Sequence, residues 1–217
     1  MRWALAIVGC AVLVAAAIYL GAWASPPQND QQAVARLLYL HVPVAVNTLL
    51  AFTVAAVASL LVLWRKSDGA DRLARAAAGV GLLMGTLMLA SGALWARLAW
   101  GHWWDFKSPR LMLSLVLWIL FVAYFVLRAS LSAGQRQKRV AAAYCLVAYL
   151  DVPLVYLSTR LLTSDIHSPS VAALDARPPG LWAALPVALA ATTAVAAALL
   201  AAGLRGTRRN DAQAART

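Results

Sequence analysis

Six long apolar stretches constrain this chain more than anything else in it: 3–24, 38–64, 76–98, 111–131, 139–163 and 181–204. A helix needs roughly twenty mostly apolar residues to cross the hydrocarbon core of a bilayer. Inside lipid only helices and closed barrels satisfy their own backbone groups. The stretches are continuous and rich in Ala and Leu rather than alternating, which favours helices over barrel strands. Charge agrees, since only 12% of residues are Asp, Glu, Lys or Arg, where a soluble domain carries about a quarter. The sequence therefore predicts an all-α, polytopic membrane protein of six transmembrane helices. They form a single domain over 1–204, followed by a basic tail over 205–217. The fifth stretch is the least regular, because it contains Asp151 and Pro153; no specific role is assigned to Asp151.

The net charge of +11 does not point to nucleic acid in so apolar a chain. Basic residues of membrane proteins gather on cytoplasmic loops. Arg65, Lys66, Arg72 and Arg75 lie between the second and third stretches, and Arg128, Arg136, Lys138 and Arg139 at the next connection on that side. Arg205, Arg208, Arg209 and Arg216 are in the tail; with Arg2 these are thirteen of the nineteen Lys and Arg. Both termini are thus expected in the cytoplasm, with connections 25–37, 99–110 and 164–180 facing outward. Ala22-Trp23-Ala24 resembles a signal-peptidase site, but the apolar run before it is long for a signal peptide and is read as an uncleaved span. Cys10 and Cys145 sit in apolar runs without CxxC spacing and read as small buried hydrophobes rather than a redox pair.

On this topology all three histidines, His41, His102 and His167, fall on the outer side. Between the third and fourth stretches lies WARLAWGHWWDFKSPRL, Trp95 to Leu111, with four of the nine tryptophans. Interfacial belts account for two or three aromatics at such a place. A WGxWW core followed by an acid and two bases suits a platform for a flat, anionic molecule. An ionisable residue near the end of a span is a functional candidate, and His41 is one; the alternative is an interfacial histidine bonded to a backbone carbonyl. His167, in a polar loop, gains weight from pairing, because two imidazoles from different segments can ligate one metal centre. Asp165 or a backbone carbonyl is available to orient it. His102 stays open between ligand, donor to a ligand's anionic group and interfacial residue, with the last favoured. Arg110 suits a bidentate contact to a carboxylate, whereas Lys107 reads as a solvated charge. No P-loop, Ser-His-Asp set or zinc-protease spacing appears.

Trp100-Gly101-His102-Trp103-Trp104 followed by an acid and Arg110-Leu111 resembles the tryptophan-rich signature of haem-handling membrane proteins. RLLYLHVPVAV (Arg36–Val46), SGALWARLAWGHWW (Ser91–Trp104) and DVPLVYLSTRLL followed by His167 are similar, in order, to the haem exporter protein C family (CcmC) of cytochrome c maturation. The resemblance implies haem b bound between His41 and His167 as iron ligands. Trp100, Trp103, Trp104, Asp105 and Arg110 would complete the site. Three departures stand out. His102 replaces the family's usual Thr, and Asp105-Phe106-Lys107-Ser108-Pro109 shifts the acid and adds a residue before Arg110. Leu161 and Leu162 stand where tryptophans often precede the second histidine.

The resemblance further implies a multi-pass protein of the bacterial inner membrane that presents haem at the periplasmic face to a haem chaperone (CcmE). It would work beside ABC transporter subunits CcmA and CcmB and a small membrane subunit (CcmD), with no turnover chemistry of its own. Two rivals come from other classes. A subunit of a cytochrome c haem lyase needs more spans and more histidines. A permease subunit with incidental histidines needs polar residues along its spans, and apart from Asp151 these are few.

Overall fold

The computed structural model describes Tyr19 and residues 37–161 and 181–214. Six helices cover nearly all of these: α1 Leu38–Arg65, α2 Asp68–Trp100, α3 Pro109–Ser130, α4 Gln135–Tyr149, α5 Asp151–Leu161 and α6 Leu181–Ala214. Among the described residues there is no strand. Five helical segments are long and apolar enough to cross a membrane: α1, α2, α3, the run Gln135–Ser158 that joins α4 to α5, and Ala184–Thr207 within α6. The predicted first span, 3–24, lies outside the described residues except for Tyr19, which is helical. The loop carrying His167 also lies outside them.

Two boundaries differ from those read in the sequence. The stretch 65–75 was expected as a connection, yet only Lys66 and Ser67 separate α1 from α2. Lys66 adopts the left-handed conformation that ends α1 and donates its backbone N–H to Val62 O. Ser67 then caps α2, its Oγ accepting from Ala70 N at 3.2 Å, and Asp68 and Asp71 stand in the first turn, where carboxylates complement the helix dipole. At 1.5 Å per residue, 33 residues span about 50 Å, so α2 is longer than a ~30 Å hydrocarbon core. The expected single span 139–163 is instead divided at Leu150, between α4 and α5. Pro153 explains the division: its ring opposes the carbonyl four residues back, at Tyr149, and it offers no N–H to bond it.

The helices pack through small residues. Phe52 of α1 lies over Gly81 of α2, where any side chain would collide with its ring. It also stacks on Phe121 of α3, with centroids 3.6 Å apart. Ala55, Ala77, Ala78, Leu117, Tyr124, Ala141 and the free Cys145 fill the same core, as the reading of Cys145 as a buried hydrophobe requires. Thr53 and Tyr149 join α1 to α4 through their hydroxyls at 3.2 Å. Asn47 of α1 donates to Pro43 O and to Thr192 Oγ1 of α6. Dispersion over close backbones and a few interhelical hydrogen bonds hold such bundles together in lipid.

At the end of the bundle formed by the close of α1 and the start of α2, Arg128 grips Asp71 with both guanidinium nitrogens. Nη1 reaches Oδ1 at 2.8 Å, Nη2 bonds Oδ2, and Tyr124 Oη accepts from Nη1 at 3.4 Å. Lys138 pairs with Asp68 at 2.8 Å nearby. These contacts tie α2, α3 and α4 together at this end of the bundle.

Candidate functional site at the aromatic end

At that opposite end a cleft of about 750 Å³, its mouth included, opens between α1, α2, α3 and α5. Its lining, mostly apolar and aromatic with a few polar groups, is the make-up of a small-molecule site. Local sequence explains its rim. Gly101 ends α2 with φ +80° and gives its N–H to Arg97 O, a helix stop suited to glycine. Its own carbonyl accepts from Arg97 Nη1. Ser108 caps α3, with Pro109 at the first position, where a missing N–H costs nothing. Trp118 Nε1 donates to Thr86 Oγ1 at 2.9 Å, fastening α3 to α2 behind the cleft.

His41, Trp95, Trp100, Trp104 and Arg110 all line the cleft, over an apolar wall that includes Leu49, Met88 and Leu117. The imidazole of His41 is half-buried against one turn of α2. Its Nδ1 lies 3.0 Å from Ser91 Oγ and Trp95 meets it edge-on at 6.1 Å. Beneath it is Gly92, where an added Cβ would come within 3.0 Å of the ring. From Trp95 the aromatic surface continues: Trp100 lies nearly parallel to it at 6.2 Å, and His102 nearly parallel to Trp100 at 6.2 Å. Trp104 is less exposed than its neighbour, and its indole Nε1 is buried with no hydrogen-bond partner. A buried N–H without an acceptor is costly, and here it belongs to a side chain that lines the cleft with Arg110.

The structure brings four of the residues singled out in the sequence, His41, Trp100, Trp104 and Arg110, around one space. Trp103 is 60% exposed and, with Asp105, is outside the cleft wall. Asp105 serves the loop: its Oδ1 accepts from Lys107 N at 2.9 Å and its carbonyl from Ser108 N at 3.3 Å. His102 and Lys107 are exposed on the same loop. His167 lies outside the described residues. Sequence reasoning gave no role to Ser91, and none to Ser114 on the cleft wall. The available signal for Ser91 was its spacing, one helical turn before Trp95 in an apolar helix.

Fold and cleft together define a polytopic helical membrane protein with one aromatic-walled, histidine-bearing cleft at one end of its bundle. The family model described as Heme exporter protein C matches residues 1–216, and the chain belongs to that family. Among curated relatives it is 28% identical to Heme exporter protein C of Rhodobacter capsulatus over 71% of this chain and 64% of that one. It is 30% identical to Heme exporter protein C of Bradyrhizobium diazoefficiens over 73% of this chain and 59% of that one. A shorter match, 35% identical over 48% of this chain and 31% of the other, is to Cytochrome c biogenesis protein CcsA of Prochlorococcus marinus. The chain thus matches less than two thirds of the length of the first two relatives.

Proposed function

We propose that this chain carries haem for cytochrome c maturation, holding it in the aromatic cleft and presenting it to a periplasmic haem chaperone. The observation that carries the proposal is the cleft's wall, which joins one imidazole, stacked tryptophans, an arginine and a buried indole N–H without an acceptor. Among the described residues no group of three His, Cys, Asp or Glu gathers to hold a bare metal ion. A single imidazole facing an apolar slot suits iron that brings its own planar set of four nitrogens. Trp95, Trp100 and Trp104 offer flat apolar area, and Arg110 with the Trp104 N–H offers two donors for a carboxylate. Family membership and the relatives' names support haem as the cargo.

In this reading His41 supplies one axial ligand and His167 the other, and no bond of the haem is made or broken by the protein. The cleft end faces the periplasm and the basic end, with Arg65, Lys66, Arg136, Lys138 and Arg139, faces the cytoplasm, as charge asymmetry favours. The membrane is the bacterial inner membrane. ABC transporter subunits (CcmA and CcmB) and a small membrane subunit (CcmD) are the proposed neighbours. The rival, a haem lyase subunit, draws on the CcsA likeness, which is confined to 48% of the chain. The proposal is tested in the native host by deleting the chain and counting haem-stained cytochromes c. Return of the plasmid-borne chain restores them and His41→Ala does not; full restoration by His41→Ala would refute the cleft as the carrier site.

A further inference from the structure

We infer that Ser91 is a positioning residue that fixes the tautomer of His41 and, being a neutral acceptor, keeps that imidazole a ligand of moderate strength. The inference rests on the reading above that His41 ligates haem iron. A serine hydroxyl has one proton and two lone pairs. Ser91 Oγ lies 2.7 Å from Leu87 O and 3.1 Å from Met88 O, both carbonyls that can only accept. It also lies 3.0 Å from His41 Nδ1. If the hydroxyl proton goes to the helix carbonyls, Oγ accepts from a protonated Nδ1 and both contacts are hydrogen bonds. If it goes to Nδ1 instead, the carbonyl contact is lost and one bond remains. In a buried setting, Ser91 being 7% exposed, the arrangement with two bonds wins. The proton of the neutral ring is therefore on Nδ1 and the lone pair on Nε2, the atom an iron would take.

The same turn of α2 fixes the ring's plane as well as its proton. Gly92 allows the ring to lie almost on the helix and the Trp95 indole stands at 76° to it. Ser91, Gly92 and Trp95 thus bound His41 from one helix. The chemical identity of the acceptor has a consequence. Metal-ligating histidines are often oriented by carboxylates, which pull on the Nδ1 proton and make the ring a stronger donor. A hydroxyl whose own proton is committed elsewhere orients the ring with far less pull. That suits a protein that must bind its cargo and then release it.

The test uses the full chain purified in detergent, titrated with hemin, with midpoint potential and affinity measured for wild type, Ser91→Ala, Ser91→Thr and His41→Ala. Ser91→Ala is expected to lower hemin affinity by about tenfold and to raise the midpoint potential, because a ring without its Nδ1 acceptor stabilises ferric iron less. Ser91→Thr keeps the hydroxyl, which in a helix bonds the same carbonyls, and is expected to restore both values to near wild type. Wild-type values in Ser91→Ala, alongside a changed spectrum in His41→Ala, would overturn the role of Ser91 alone. Equal losses in Ser91→Ala and Ser91→Thr would show a packing role and overturn it too. An unchanged spectrum in His41→Ala would remove the ligand reading and this inference with it.

Discussion

Adding one methyl group at Gly92 tests the cleft at its tightest point. A Cβ there would lie 3.0 Å from His41 Cε1, 3.5 Å from Nδ1 and 4.0 Å from Nε2. Carbon atoms rest at about 3.5–4.0 Å, so Gly92→Ala must push the ring away by about 0.5 Å. The Ser91 Oγ to Nδ1 distance is 3.0 Å; the same displacement takes it to about 3.5 Å, beyond the usual N–H···O range. Trp95, edge-on at 6.1 Å, limits escape on another side. Overpacking of this kind costs about 1–3 kcal/mol, and a ligand held within roughly 0.5 Å of its working geometry is the requirement for a preorganised site. A cost of about 1.4 kcal/mol is a tenfold loss of affinity. Gly206→Ala serves as the control, since nothing lies within 4 Å of a Cβ there; it should stabilise α6 by about 0.5–1 kcal/mol and leave hemin binding alone. Hemin titration in detergent, followed by Soret absorbance, measures both variants. Wild-type affinity in Gly92→Ala would refute the claim that His41 is seated against α2 in the binding state.

Three further outcomes follow from particular contacts. Asp71→Asn or Arg128→Ala leaves a charge buried without its partner and should cost about 3–5 kcal/mol, seen as early melting in detergent, while protein that remains folded keeps its hemin spectrum because the pair sits at the far end of the bundle. Trp104→Phe keeps an aromatic side chain, though a smaller one, and removes the unpartnered N–H; with a carboxylate as acceptor it should weaken hemin binding by about 1.5–3 kcal/mol, and the difference should shrink with the dimethyl ester of hemin. Asp105→Asn should change hemin affinity less than twofold, since Oδ1 already accepts from Lys107 N and an Asn carbonyl can do the same; a loss as large as that of Trp104→Phe would show that Asp105 acts on the ligand.

The helical crossings were legible because hydropathy over twenty residues is a strong signal. What it hid was the first two turns of α2, Asp68 to Arg75, where RKSDGADRLAR looks like a charged connection. The helix start was nonetheless spelled out there by Ser67 with Asp68 and Asp71 behind it. Only the fold shows why Asp71 is tolerated when buried, since its partner Arg128 is 57 residues away. Arg128 itself read as one more base of an exposed turn. Pro153 marked the fifth span as irregular, and the helix does divide at Leu150.

At the site, residue type identified His41, Trp100, Trp104 and Arg110, which converge on one cleft. It did not separate Trp104, inside, from Trp103, outside, because the loop's rotation is set by Gly101 and by the cap at Ser108 rather than by any tryptophan. Nor did it separate an acid that binds a ligand from one that makes a turn. The spacing of Ser91 one turn before Trp95 marks a shared face of α2, but only the fold shows that His41 of α1 lies against Ser91 and Gly92.

The central claim is that His41 and His167 hold the haem from opposite faces. The optical spectrum of the purified chain, wild type beside His41→Ala and His167→Ala, tests it most directly. The account predicts a six-coordinate spectrum in the wild type and its loss or conversion to a five-coordinate form in each variant. A six-coordinate spectrum unchanged in both variants would contradict it.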